Sequence, residues 1–373
     1  MVLPRFYCDD IAALQKAGRR RSLTLPGGTD FSSNDYLALA GSDTLRNAAR
    51  AALDRGVNLG SGGSRLLRGN TPEHEAAEAA AARFFGAECA LYVGSGFAAN
   101  SLLFSSLPQP GDLILHDALI HASVHEGMRL SRAPHRAFAH NDVAAAQAEI
   151  ARWRAAGGRG TVWIAFETLY SMDGDMAPVA AFAALADREG AMLVIDEAHA
   201  AGVFGPQGRG LAWQLQARSN VVTLATCGKA MGCEGAFILT ASVLRDFIIN
   251  RARSVIFSTA PSPLMAEIAK AALAAVAAAD DRRAQLATLI ALAQQTFEPF
   301  GVLPGCSPIQ PIIIGDDART MAAAARLQAL GFDVRGVRPP AVPPGTARLR
   351  LSITLNADAA AIAALGKALK EVV

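Results

Sequence analysis

Short apolar runs without polar alternation constrain the fold of this 373-residue chain more than any other feature. Such runs are typical of strands that are buried on both faces, as in a mostly parallel sheet covered by helices. Helix-like stretches separate them, for instance residues 179–189, where alanine and leucine recur at helical spacing. The pattern predicts an α/β fold. The predicted strands of its sheet are residues 90–93, 113–115, 162–166, 192–195, 221–225 and 236–239.

The length of the chain exceeds what one simple core usually fills, so we expect a large domain and a smaller one. Beyond about residue 260, two long alanine-rich helices precede a second set of strands and a last helix that starts at Asp358. We therefore predict an N-terminal arm at residues 1–40, a large domain at 41–260 and a small C-terminal α/β domain at 261–373. The predicted strands of the small domain are residues 310–314, 333–337 and 349–354.

The overall composition excludes several classes of protein. Hydrophobic residues make up 51% and charged residues 18% of the chain, which describes a well-buried globular enzyme. A formal net charge of +2 gives no concentrated basic face for nucleic acid. The five cysteines are odd in number and widely spaced, so we expect free thiols in a reducing, cytoplasmic compartment. We predict neither a signal peptide nor a membrane span.

Side chains that could react or bind a ligand follow several predicted strands directly. Ligands of open α/β sheets bind at the carboxyl ends of the strands. Lys229 follows one strand, and its amine could lose a proton and form an imine. Asp196 follows another and could keep a pyridinium nitrogen protonated. The turn at residues 94–97 leads into a helix whose free amides could bind phosphate. Together these features predict pyridoxal phosphate (PLP) as the cofactor.

Each of these signals also has a purely structural interpretation. Without its neighbours, Lys229 would be read as a surface lysine and Asp196 as a helix cap. Gly94 and Gly96 alone would indicate a tight turn. It is the combination that favours a cofactor site.

Two further motifs suggest other functions. His121 and His125 are four residues apart, as in a metal-binding helix, but no third ligand accompanies them, so we predict no metal site. Residues 196–199 spell DEAH, the signature of some nucleic-acid helicases. A helicase also needs a GxxxxGK[ST] loop, and Gly228-Lys229 lacks both the upstream glycine and the following hydroxyl residue. The sequence therefore does not support the helicase interpretation.

Many motifs in order give the chain a specific family resemblance. From about residue 31 to the C-terminus it resembles the α-oxoamine synthase family of PLP enzymes. The resemblance implies the aspartate aminotransferase fold, with a mostly parallel seven-stranded sheet, and a homodimer whose active sites lie at the interface. The motifs occupy residues 31–37, 60–69, 95–100, 121–123, 140–142, 171–175, 196–199, 226–229, 257–259 and 348–350.

The resemblance implies a role for each matching cofactor residue. Lys229 would hold PLP through an imine, Asp196 would pair with the pyridine nitrogen, and His199 would contact the ring hydroxyl. His121 would stack on the ring, assist acid–base steps and meet the substrate. The phosphate and ring would be lined by Gly96, Phe97, Ser171 and Thr226.

The resemblance also implies substrate contacts and the reaction. Asn34 and Arg350 would hold the amino acid carboxylate, Arg19 would meet the acyl substrate, and Thr259 would reach the cofactor of the neighbouring subunit. The most similar members condense L-alanine with a pimeloyl thioester, carried by coenzyme A or an acyl carrier protein, in biotin biosynthesis. Those members often have threonine where this chain has Ala341, so a hydroxyl expected to meet the acyl substrate is missing.

Two other functions stay open at this point. The chain could use glycine, to make aminolevulinate or 2-amino-3-oxobutyrate, or serine, to begin sphingolipids. It could also be a non-catalytic partner subunit of the same fold. The joint presence of Lys229, Asp196, His199 and His121 argues against a subunit without turnover.

Overall fold

The computed structural model describes residues 4–373 as an α/β protein, and none of its helices within that range is long and apolar enough to span a membrane. The strands are β1 Thr29–Asp30, β2 Cys89–Val93, β3 Leu113–Asp117, β4 His135–Phe138, β5 Val162–Glu167, β6 Met192–Asp196, β7 Val221–Thr226, β8 Ala236–Thr240, β9 Ile309–Gly315, β10 Phe332–Asp333, β11 Arg335–Val337 and β12 Ala347–Ser352. The α-helices are α1 Arg5–Lys16, α2 Asp43–Asp54, α3 Pro72–Phe85, α4 Gly96–Ser106, α5 Ala122–Leu130, α6 Val143–Ala155, α7 Val179–Glu189, α8 Ser242–Arg251, α9 Arg253–Ile256, α10 Pro263–Ala277, α11 Asp280–Phe297, α12 Asp317–Ala329 and α13 Ala359–Val372. Short 3-10 turns occupy Pro206–Gly208, Trp213–Leu215 and Glu298–Phe300.

The central sheet has seven strands in the order β2-β8-β7-β6-β5-β3-β4. Strand β8 runs antiparallel to both of its neighbours, and the other pairs are parallel. This confirms the mostly parallel seven-stranded sheet. The sequence pattern gave only six of these strands and missed β4, a short edge strand that begins with the exposed His135 and has only one buried residue.

Side chains along the central strands alternate between two hydrophobic clusters, one on each face of the sheet. On β5, Trp163 and Ala165 pack with α4 and α5, whereas Ile164 and Phe166 pack with α6 and α7. Strand β6 alternates in the same way, with Val194 on the α4 face. This alternation decides which residues at the ends of the strands share a face.

The second half of the chain forms a smaller sheet. Strands β11, β12 and β9 make three antiparallel strands, as the predicted C-terminal strands require. Two elements precede the large sheet along the chain. Helix α1 has no buried residue. Strand β1 pairs in parallel with β10 of the C-terminal region. The division at residues 40 and 260 stays a prediction, and the separation of the two sheets along the chain supports it.

Candidate functional site

A cavity of about 160 Å³ lies at the carboxyl ends of the central strands. The structure brings seven of the predicted cofactor residues to its wall, namely Gly96, Phe97, His121, Asp196, His199, Thr226 and Lys229. The wall also contains Asn100, Ser123 and Glu167, to which the sequence analysis gave no role. The amine of residue 229 and the carboxyl of residue 196 therefore face one enclosed space.

Lys229 lies in the loop that follows β7, beside the end of the strand. Burial lowers the pKa of its amine below that of a free lysine, although the neighbouring Asp196 and Glu167 act in the opposite direction. A lysine with a lowered pKa spends more time as the neutral amine, which is the nucleophilic and basic form. The position therefore suits both covalent attachment and proton removal.

Asp196 is the last residue of β6 and is only 7% exposed. Its Oδ2 accepts a hydrogen bond of 2.8 Å from Nδ2 of Asn100, and its Oδ1 accepts one of 2.8 Å from the backbone amide of Ala198. Asn100 is itself buried and also donates to Oγ of Ser123 at 3.0 Å. These donors fix the carboxylate and compensate its negative charge.

His199 is buried beside Asp196 and Lys229 in the cavity wall. Its Nδ1 lies 2.6 Å from Oη of Tyr36. Burial lowers the pKa of His199 well below its usual value, and the charges of Lys229 and Arg350 add to this. Burial raises the pKa of Tyr36 to about 12. Both groups are therefore neutral near pH 7.

His121 caps the start of α5 and separates the cofactor cavity from a second one. The second cavity has a volume of about 510 Å³ and is lined by His121, Ser171 and the proline-rich loop at residues 339–344. Burial lowers the pKa of His121, Asp196 opposes this shift and Lys229 adds to it. The Nδ1 of His121 accepts the amide of Ser123 at 3.3 Å, so the neutral ring carries its proton on Nε2.

The start of α4 forms another part of the cavity wall. Oγ of Ser95 accepts the amide of Ala98 at 3.1 Å and so caps the helix. The first amides of a helix have no partner within it and attract anions. A Cβ on Gly96 would lie 3.4 Å from Oγ1 of Thr226, so a larger residue would crowd this wall. An anion site, a carboxylate and a lysine amine around one cavity match the phosphate, the ring nitrogen and the aldehyde of PLP.

Arg350 and Asn34 lie close together, as the family resemblance requires. Nη2 of Arg350 donates to Oδ1 of Asn34 at 3.0 Å, Nη1 donates to Oγ of Ser352 at 2.7 Å, and Nε donates to the carbonyl of Ser171 at 2.6 Å. These contacts engage three of the five N–H groups of the guanidinium, which retains donors for a carboxylate. Arg350 is 7% exposed, so its position is fixed by packing as well.

Besides Arg350 and Asn34, three predicted residues do not line the cofactor cavity. Ser171, predicted to line the phosphate and ring, lines the second cavity instead. Thr259 is exposed and lines a separate cavity of about 210 Å³ with Arg65 and Ser258. Arg19 lies between α1 and β1, and its Nη2 is 2.9 Å from Oδ2 of Asp317 on α12. Within this single chain, neither Thr259 nor Arg19 contacts the other members of the site.

Comparison with known proteins identifies the family. Residues 26–365 match the model described as aminotransferase class I and II. The 8-amino-7-oxononanoate synthase of Anaeromyxobacter dehalogenans is 41% identical, over 95% of this chain and 92% of that protein. A serine palmitoyltransferase solved with PLP is 25% identical, with a TM-score of 0.89 over 98% of this chain and 96% of that one. A crystal structure of 8-amino-7-oxononanoate synthase from Francisella tularensis is 27% identical, with a TM-score of 0.76 over 92% and 98%. This chain therefore belongs to the α-oxoamine synthases, PLP-dependent acyltransferases within the class I and II aminotransferase family.

Proposed function

We propose that this enzyme condenses L-alanine with a pimeloyl thioester to give 8-amino-7-oxononanoate, carbon dioxide and the free thiol, a step of biotin biosynthesis. The observation that carries the proposal is the identity of 37–43% to relatives that bear the name of this synthase, over 87–98% of the chain. The serine palmitoyltransferase structures, at 24–27% identity, are more distant in sequence. Their similarity supports the serine-using alternative less well.

We propose that the cavity holds PLP between four groups. Lys229 attaches it, the carboxylate of Asp196 pairs with the ring nitrogen, His199 contacts the ring hydroxyl, and the first amides of α4 bind the phosphate. When bound, PLP supplies an electron sink for the charge that develops at the α-carbon of the amino acid. A fixed carboxylate such as Asp196 keeps the ring nitrogen protonated, which makes that sink effective.

The amino acid is held and activated by residues from both parts of the chain. Arg350 and Asn34 bind its carboxylate and so orient the α-hydrogen. The amine of Lys229 removes that proton, which its lowered pKa permits near neutral pH. After carbon dioxide leaves, the Lys229 ammonium returns a proton to the α-carbon. One residue thus serves as base and then as acid.

The acyl donor would occupy the second cavity. A volume of about 510 Å³ beside His121 provides space for a flexible acyl chain, and the loop at residues 339–344 lies along it. The Nε2–H of His121 polarises the thioester carbonyl while the new carbon–carbon bond forms and the carbon–sulfur bond breaks. The released thiolate takes a proton and departs with its carrier.

We also propose that two copies of the chain form the functional unit. Thr259, which lies away from its own cavity, would then complete the phosphate site of the partner. Exposed large apolar side chains support this: Leu67, Phe97 and Phe257 are 82%, 52% and 73% exposed. Burial of such side chains against a second copy would be favourable.

The experiment that tests the proposed function is a substrate series. Purified enzyme loaded with PLP is supplied with pimeloyl coenzyme A and, in turn, with alanine, glycine or serine, and the released thiol and carbon dioxide are measured. The proposal predicts the highest kcat/KM with alanine and equal amounts of the two products. A higher kcat/KM with serine or with glycine would replace it by the serine-using or the glycine-using alternative. Repeating the series with a pimeloyl carrier protein identifies the carrier.

A further inference from the structure

Two carboxyl groups stand side by side in the cofactor cavity, and only one of them has a role so far. Glu167 ends β5, Asp196 ends β6, and the two residues are register partners in this parallel pair. Glu167 follows Trp163 and Ala165 on the α4 face of the sheet, and Asp196 follows Val194 on that same face. Both carboxyls line the cavity, and the residues are 3% and 7% exposed.

The protein surrounds these two carboxyls differently. Each oxygen of Asp196 accepts a hydrogen bond of 2.8 Å, one from Asn100 and one from the amide of Ala198. Within residues 4–373, the Oε1 of Glu167 is buried and has no hydrogen-bond partner. The backbone amides of His121 and Ser171 approach the carboxyl of Glu167. Asp196 is therefore built to carry a charge, whereas one oxygen of Glu167 is left without a donor.

The charges around Glu167 also favour its protonated form. Burial raises the pKa of Glu167, and the neighbouring Asp196 raises it further, while Lys229 and the two backbone amides oppose the shift. The other titratable side chains that line the cavity, His121 and His199, are neutral near pH 7 because burial lowers their pKa. Two adjacent buried carboxyls with one lysine between them do not both ionise readily.

We propose that Glu167 is a positioning residue of the reaction: it keeps a proton on Oε1, and its carboxyl lies against the backbone amides of His121 and Ser171. Among the described residues that line the cavity, Asp196 is then the only anion, and its charge remains available to the ring nitrogen. Of the two residues with these amides, His121 lines both cavities and Ser171 lines the second one, so the carboxyl of Glu167 lies next to the wall that the two cavities share. The inference rests on the proposed roles of Asp196 and Lys229, and not on the identity of either substrate.

Infrared spectroscopy of the PLP-loaded enzyme tests the protonation state without any turnover. A protonated carboxyl has a carbonyl stretch well separated from the bands of carboxylates. Because burial also raises the pKa of Glu197, to about 7, the spectra of variants are subtracted from that of the wild type. The proposal predicts such a band at pH 7 in the wild-type spectrum minus that of Glu167→Gln, and none in the wild-type spectrum minus that of Glu88→Gln, which changes an exposed glutamate. Absence of the band from the Glu167→Gln difference spectrum would overturn the proposal.

Kinetics of matched variants test the positioning role. Glutamine keeps the shape of the neutral acid, so Glu167→Gln is expected to retain kcat within about threefold of the wild type. Glu167→Ala removes the carboxyl that lies against both amides and is expected to lower kcat about tenfold or more with little change in KM. Equal losses in the two variants, or no loss in Glu167→Ala, would contradict this role. Cofactor absorbance and thermal unfolding report whether each variant is folded and loaded.

Discussion

Nδ2 of Asn100 donates a hydrogen bond of 2.8 Å to Oδ2 of Asp196, and this links the first turns of α4 to the end of β6. The same helix begins at Gly96, where its free amides face the proposed phosphate position. In the proposed site, one helix would therefore set the distance between the phosphate and the carboxylate that pairs with the ring nitrogen.

Removal of the Asn100 amide should therefore weaken catalysis through Asp196. A hydrogen bond to a charged group contributes about 1.5–3 kcal/mol, so we expect Asn100→Ala to lower kcat about 10- to 100-fold. Asn250→Ala, at an exposed position of α8, serves as the control. Steady-state kinetics at saturating PLP make the measurement, and an unchanged kcat in Asn100→Ala would show that Asp196 needs no support.

The contact between Arg350 and Asn34 leads to a prediction about amino acid binding. Lysine lacks the planar set of donors that holds Asn34, Ser352 and a carboxylate together. We expect Arg350→Lys to raise the KM for alanine about 10-fold or more, with a smaller effect on the KM for the thioester. Arg188→Lys, on the exposed side of α7, provides the matched control. An equal change in both KM values would argue for a general distortion instead.

The contacts of His140 lead to a prediction of how the stability of the fold depends on pH. Its Nδ1 lies 2.8 Å from Oδ1 of Asp117, and its Nε2 lies 2.7 Å from Oδ2 of Asp175. Burial opposes the charge, but the bonds to the two carboxylates outweigh burial and raise the pKa of His140 above its ordinary value of 6.5. The folded state therefore binds this proton more tightly than the unfolded chain does.

The stabilisation from His140 should be complete below about pH 6.5 and should be lost as pH rises through the raised pKa of the folded state. Urea unfolding of the wild type and of His140→Gln at pH 6 and pH 9 measures it. We expect the difference in the free energy of unfolding to be larger at pH 6. A difference that is equal at both pH values, or that grows with pH, would refute the assignment.

Ala341 gives a prediction about the acyl donor. It lines the second cavity together with His121, and the family resemblance implies a threonine at this position. Restoring the hydroxyl in Ala341→Thr should lower the KM for pimeloyl coenzyme A about three- to tenfold, as expected for one added hydrogen bond. Ala341→Val is the control of similar size. A lower KM in both variants would indicate packing, and no change in either would remove residue 341 from substrate recognition.

The sequence predicted most of the fold because buried parallel strands leave a strong signal. The start of helix α3 is also marked in the sequence, because Thr71 caps it, Pro72 occupies its first position, and Glu73 and Glu75 lie in its first turn. Strand β4 was not predicted because only Phe138 of its four residues is buried. Its sequence therefore shows neither an apolar run nor an alternation of apolar and polar residues. The pairing of β1 with β10 joins residues that are about 300 positions apart, which no local pattern can predict.

The candidate site likewise contains residues that the sequence predicted and residues that it did not. Lys229, Asp196 and Gly96 follow strands directly, so the rule for open sheets was sufficient to bring them together. Glu167 also ends a strand, and two-residue alternation could have placed it beside Asp196. Asn100 had no such signal, because its role depends on how α4 packs over β6. The ion pair of Arg19 with Asp317 joins residues that are far apart in sequence, and no local sequence pattern predicts which residues Arg19 meets.

The most direct test of the account is to locate the lysine that carries the cofactor. The chain has only five lysines, so borohydride reduction of the PLP-loaded enzyme, digestion and mass spectrometry can assign the attachment without ambiguity. The account predicts that the reduced cofactor is found on the peptide that contains Lys229, that Lys229→Ala abolishes the label, and that Lys270→Ala retains it. A label on any other lysine of the wild type, or none at all, would contradict the central claim.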